Sequence, residues 1–178
     1  IWGNWFDEGS FEATLAFNNL RNPRKLWMGS WGHCQTGDFP MTTELLRFFD
    51  RFLKNVDNGW DREPPIYYRT TNAQPGKEWR SAERWPLPEA REHTLLLDGK
   101  AIPGVPGQLT TDAKPTGADT FTVDYEPKCA NPANAYFMMW PCVIDNHGLS
   151  YVTAPLAKDA HLAGHPVVDV WISSTTND

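Results

Sequence analysis

IWGNWFDEGSFEATLAFNNLRNPRKLWMGSWGH, residues 1–33, is the stretch whose reading decides the fold. Glu8, Gly9 and Ser10 make a helix start, with Ser10 able to accept the free N–H groups of the first turn. Apolar residues follow at Phe11, Leu15 and Leu20, with Ala13 and Ala16 between them, a period suited to one buried face. Asn22-Pro23 ends the helix, because proline has no N–H to donate and restricts the residue before it. Residues 25–29 (KLWMG) are a short apolar run of strand length, and residues 1–3 read as the tail of another strand. Strand, crossover helix, strand predicts a βαβ unit with parallel strands.

Parallel strands put the turns after Gly3 and Gly29 on one carboxyl edge, where open α/β sheets build their sites. Asp7 and His33 are therefore expected to meet, although they stand 26 positions apart. An aspartate bound to one imidazole nitrogen fixes the tautomer and stabilises the imidazolium, and the second nitrogen then takes a proton from a serine hydroxyl. A plainer reading fits the same spacing, with Asp7 capping the following helix and His33 lining a loop. Periodicity alone does not separate the two.

The wording of the two turns adds to this. GNWFD at residues 3–7, followed by GSWGH at residues 29–33, resembles the cocaine-esterase-like and X-prolyl dipeptidyl peptidase hydrolases. In that family a G-W-Y/F-D segment carries the triad acid, and a G-P-W-x-H segment about one βα unit later carries the triad histidine. Asp7 and His33 stand at those positions; the departures are Asn4 and Ser30, neither of which is the acid or the base. Residues 47–54, 78–80 (EWR), 85–88 (WPLP) and 149–178 resemble the same family in the same order, so the likeness covers nearly the whole chain. It implies a serine hydrolase acting on an ester or amide bond of a small molecule or peptide. Asp7 is then the triad acid and His33 the base.

Composition is that of a globular protein. The chain has 178 residues, 40% hydrophobic, with nine tryptophans suited to cores and apolar pockets. A net charge of −6 and the lack of a basic run argue against a nucleic-acid partner. No apolar stretch approaches the ~18 residues a membrane span needs. Cys34, Cys129 and Cys142 are odd in number; Cys129 and Cys142 could bridge, or all three could be free thiols, so the compartment stays open.

A second helix is expected after the polar loop that follows His33, with Thr42 or Thr43 as cap and Glu44 in its first turn. Leu45, Leu46, Phe49, Phe52 and Leu53, widened by Phe48, make an apolar face expected to lie buried against a sheet. Beyond Glu63-Pro64-Pro65 helical periodicity vanishes and short β-rich runs alternate with Pro/Gly punctuation. Strands are expected at residues 66–71, 94–97, 120–125, 150–153 and 167–173. The expected division is thus an α/β part over residues 1–64, which the resemblance makes the C-terminal part of a hydrolase domain, and an incomplete β-sandwich over residues 65–178, which it makes jelly-roll-like. An unpaired strand edge there invites association, including with a second copy.

No G-x-S-x-G segment occurs, so the nucleophile and its cap are expected on an upstream segment of a longer enzyme, and the chain alone is expected to be inactive. Ser30 shares the turn of His33 and cannot reach the imidazole as an elbow serine does. Cys34, adjacent to His33 on what reads as an extended loop, is expected to point away from it. His161 and His165 have metal-ligand spacing only on a helix, which Gly164 and Pro166 oppose; His93 and His147 read as exposed or locally hydrogen-bonded. No metal and no cofactor are expected. The alternative to a hydrolase is a non-catalytic module that binds through its β-sandwich.

Overall fold

A computed structural model describes residues 1–7, 9–112, 117–123 and 148–175. β1 (Trp2–Asn4), α1 (Ser10–Asn19) and β2 (Leu26–Gly29) form the expected βαβ unit, β1 and β2 parallel with Asn4 opposite Gly29. β3 (Ile66–Arg69) adds to β2, again parallel, and β4 (Trp79–Ala82) pairs antiparallel with β3. The first sheet therefore crosses residue 64. Its third strand was expected to begin the second part of the chain, but the N–H of Leu26 donates to the carbonyl of Pro65 at 2.8 Å. Leu26, Met28 and Ile66 are then sealed together with Tyr68 in one core layer.

α1 covers this layer with a face other than the expected one. Ala13, Thr14 and Phe17 are buried, whereas Phe11, Leu15 and Leu20 remain about half exposed. Close approach explains the difference. A Cβ on Gly3 would stand 2.8 Å from the Ala13 Cβ and 2.8 Å from the Met28 sulfur, so the smallest residues, not the largest, set how the helix sits. Nor does Ser10 cap the helix: Gly9 holds the cap position with no side-chain bond, and Ser10 is the first helical residue.

The opposite face of the sheet is aromatic. Trp27 stacks on Tyr67 at 4.2 Å, and Phe39 sits buried 4.4 Å from Trp2 and 4.6 Å from Trp27. Phe39 thereby anchors the far end of the loop that carries His33.

α2 (Met41–Leu53) starts at Pro40 rather than at a threonine, and none of its residues is buried. Phe48 and Phe52 meet Trp60 of a short 3-10 turn (Trp60–Arg62), and Arg51 pairs with Asp61 at 2.8 Å. Arg47 binds Glu63, which also takes a hydrogen bond from the buried Lys25. Burial pushes the Glu63 carboxyl up, but hydrogen bonds from Arg47 and Lys25 outweigh it and hold it below its usual range. The helix is thus held by its arginines together with Phe48 and Phe52. Leu45, Leu46, Phe49 and Leu53, expected to be buried, are left about half or more exposed.

Past β4 the described chain holds strands without helices. β5 (Leu96–Asp98), β6 (Gly107–Thr110) and β7 (Tyr151–Val152) make a small mixed sheet. The coarse order, α/β followed by β, is as expected. Residues 167–173 form no strand, because nothing described pairs with them, and Trp171 is fully exposed. Residues 120–123 are likewise not a strand; Asp124 and Tyr125 lie outside the described residues. No helix described is long and apolar enough to cross a membrane.

Gly3→Ala should lower stability by about 1–3 kcal/mol in urea unfolding, the scale of an overpacked contact; unchanged stability would contradict the close approach of α1. In the small sheet the Tyr151 hydroxyl donates to Asp119 Oδ2 at 2.6 Å, which, with burial, pushes the phenol up to about 12. That folded value lies above the ordinary ~10, so the bond's contribution is complete below ~10 and lost as pH rises through the folded value. Burial also raises Tyr67 and Tyr68, so absorbance titration should find one fewer late-ionising tyrosine in Asp119→Asn than in the native chain; identical curves would contradict the pairing.

Candidate active site

β1 and β2 do not stop pairing where the strands end. The N–H of Trp5 donates to the carbonyl of Gly29 at 2.9 Å and that of Phe6 to the carbonyl of Trp31 at 3.3 Å. The two chains thus leave the sheet side by side, each carrying one of the two expected site residues. His33 Nδ1 lies 3.0 Å from Asp7 Oδ1. An ionised carboxylate only accepts, so Nδ1 carries the proton and donates it. The Asp7 side chain is 14% exposed and that of His33 40%: the acid is sheltered and the imidazole stands at the surface.

Asp7 serves the helix as well. Its Oδ1 takes a long hydrogen bond from the N–H of Gly9 (3.5 Å), and its backbone carbonyl accepts from Ser10 (3.2 Å). The two roles weighed for Asp7, helix start and partner of His33, are therefore compatible. Both orient the carboxylate.

His33 and Cys34 occupy the tip of a tight turn, closed by the N–H of Gln35 donating to the carbonyl of Gly32 at 3.2 Å. The segment is not the extended loop expected. Cys34 adopts φ +58°, left-handed for a residue with a Cβ, and its thiol is exposed. Asn4, 1% exposed, donates from Nδ2 to the carbonyls of Gly32 (2.9 Å) and Gln35 (3.0 Å). Gly29 has to be glycine here: a Cβ would fall 2.3 Å from Asn4 Oδ1. At the neighbouring strand end Arg69 donates to Ser30 Oγ (2.6 Å) and lies over the Trp31 ring (4.9 Å).

Asn4, Gln35 and Arg69 were not singled out from the sequence. Asn4 carried the clearest signal, since a polar side chain inside a short strand bounded by glycine and tryptophan must find partners if buried. Ser30 is the hydroxyl that Arg69 binds, consistent with its reading as a loop residue.

The other histidines are dispersed. His161 stacks on Tyr68 with centroids 5.9 Å apart. Thr14 Oγ1 donates to the carbonyl of Phe11 and so accepts the N–H of His165 Nε2, at 2.9 Å. Among the described residues no group of three or more His, Cys, Asp or Glu side chains could hold a metal ion. His147, Cys129 and Cys142, and with them the question of a Cys129–Cys142 bridge, lie outside the described residues.

The chain is similar to several known proteins. A Mycobacterium bovis protein named as a serine esterase is 30% identical over 203 residues, covering 99% of this chain and 30% of that protein. A Streptomyces avermitilis protein named as an Xaa-Pro dipeptidyl-peptidase is 31% identical over 175 residues, covering 95% of this chain and 24% of its own length. The chain thus spans less than a third of the curated relatives it matches. The crystal structure of a CocE/NonD family hydrolase from Staphylococcus aureus aligns with 62% of this chain at 23% identity and a TM-score of 0.46. Asp7 and His33 fall within the stretch shared with the mycobacterial relative and ahead of residues 58–178, which match the X-Pro dipeptidyl-peptidase C-terminal non-catalytic domain. With most of its length in that match, the chain belongs to the X-Pro dipeptidyl-peptidase C-terminal domain family.

Proposed function

We propose that this chain supplies the acid and the base of a serine hydrolase acting on ester or amide bonds. The observation that carries this reading is the 3.0 Å hydrogen bond from His33 Nδ1 to Asp7 Oδ1 across two parallel strand ends. The names of the relatives, serine esterase and Xaa-Pro dipeptidyl-peptidase, support the same reaction class and suggest esters and prolyl peptides as substrates.

In this mechanism a serine Oγ, provided by another segment of the longer enzyme, gives its proton to His33 Nε2 and forms a bond to the acyl carbon. Asp7 keeps the imidazole in the tautomer that presents Nε2 as acceptor and stabilises the imidazolium that forms. His33 then returns the proton to the departing alcohol or amine as the acyl bond breaks. Water repeats the cycle on the acyl-enzyme. The oxyanion donors come, like the serine, from outside these residues.

The outward apolar side of α2 and the open edge of β1, which pairs with β2 alone among the described strands, support the presence of such a segment. The division at residue 64 is then one of role rather than of sheet, with acid and base before it. Residues 65–178 contribute strands to a jelly-roll-like sandwich completed elsewhere. The second reading, a non-catalytic module, draws on the family description of residues 58–178, which do not include Asp7 or His33.

Kinetics in an esterase-active protein containing this segment separates the two. His33→Ala should abolish turnover and Asp7→Asn should lower kcat by about 10⁴-fold, the scale of a wrong tautomer. Retained turnover in either variant would remove both residues from the reaction and leave the binding module.

A further inference from the structure

Asn4 and Gln35 take no part in the proposed proton transfer, yet both act on the turn that aims His33. The carbonyls that receive the two Asn4 N–H bonds, of Gly32 and Gln35, bracket the tip residues His33 and Cys34. Gln35 closes the same turn from the other side: its N–H donates to the carbonyl of Gly32 (3.2 Å), and its Oε1 accepts the N–H of Gly32 (3.1 Å). Cys34 is left-handed at φ +58°, a conformation that persists at a residue with a Cβ only where the surroundings hold it.

We propose that Asn4 and Gln35 are positioning residues, a clamp that holds the His33–Cys34 turn in its strained form so that Nδ1 faces Asp7. The inference rests on the reading of Asp7 and His33 as an acid–base pair. Strand β1 and the turn directly after it carry both halves of the alignment: Asn4 fixes the backbone of the histidine turn, and Asp7, three residues on, fixes its ring. The acid and the base are thereby referenced to one rigid element. Asn4 is nearly sealed from solvent, and its Oδ1 has no hydrogen-bond partner. A buried amide left half satisfied in this way is tolerated where its other half is needed.

The test is the tautomer of His33, read by 15N NMR of the imidazole in the full chain at a pH where the ring is neutral. Near-UV circular dichroism of the tryptophans reports whether each variant is folded. Asp7→Asn sets the scale by reversing the native preference for the Nδ1–H form. Asn4→Ser and Gln35→Ala should each lower the ratio of Nδ1–H to Nε2–H by about fivefold, the scale of one lost hydrogen bond. Adding Cys34→Gly to Gln35→Ala should recover most of the native ratio, because glycine adopts the left-handed turn without a clamp. Should Asn4→Ser fail to fold, Gln35→Ala decides alone, since Gln35 is exposed. Native ratios in folded Asn4→Ser and Gln35→Ala, beside a reversed ratio in Asp7→Asn, would overturn the clamp and leave the pair standing. A native ratio in Asp7→Asn would instead overturn the pair.

Discussion

The parallel register of β1 on β2, with Asn4 opposite Gly29, is the constraint on which the rest depends. Parallel strands joined by a helix send both following turns out of the same edge, so two groups far apart in sequence are delivered to one place. A one-residue slip would reverse every side chain of β1 between the faces of the sheet. It would also part Asn4 from the turn it holds. What prevents the slip is the packing beneath: Gly3 lies against Ala13 and Met28, and Leu26, Met28 and Ile66 are completely buried.

Two kinds of restraint converge on His33 from that base. One is apolar: Phe39 stacks between Trp2 and Trp27 and ties down the end of the histidine loop. The other is polar, with Asn4 and Gln35 at the tip and Arg69 on Ser30 at the root. Asn4 and Ser30 are the positions where the chain departs from the motifs of the hydrolases it resembles. Asn4 donates to the carbonyls of the histidine turn and Ser30 accepts from Arg69, so both side chains tie the turn to neighbouring elements.

The βαβ unit and the meeting of Asp7 with His33 were legible because they follow from punctuation and direction. The helix ends at Asn19, short of Asn22-Pro23, Gly29 ends the strand, and chain direction does the rest. The buried face of α1 was not legible, since counting apolar residues favours Phe11 and Leu15 while the spacing of strand and helix is set by Gly3 and Ala13. β4 was missed because Trp79-Arg80-Ser81-Ala82 has neither an apolar run nor alternation; it exists because β3 offers it an edge. Residues 167–173 are the converse, a strong strand pattern with nothing described to pair with. α2 has a conspicuous apolar stripe, yet its contacts run through Arg47, Arg51 and the Trp60 turn. A sequence reports which surfaces seek cover. It does not report whether the cover lies within the same stretch of chain.

The central claim is that His33, held by Asp7, exchanges a proton with a serine. A crystal structure of an esterase-active protein containing this segment, with its serine trapped as a phosphonate adduct, tests that claim most directly. The account predicts the adduct serine oxygen within about 3.2 Å of His33 Nε2, with Nδ1 still on Asp7. An adduct serine beside a different histidine, with His33 turned away from it, would contradict the account.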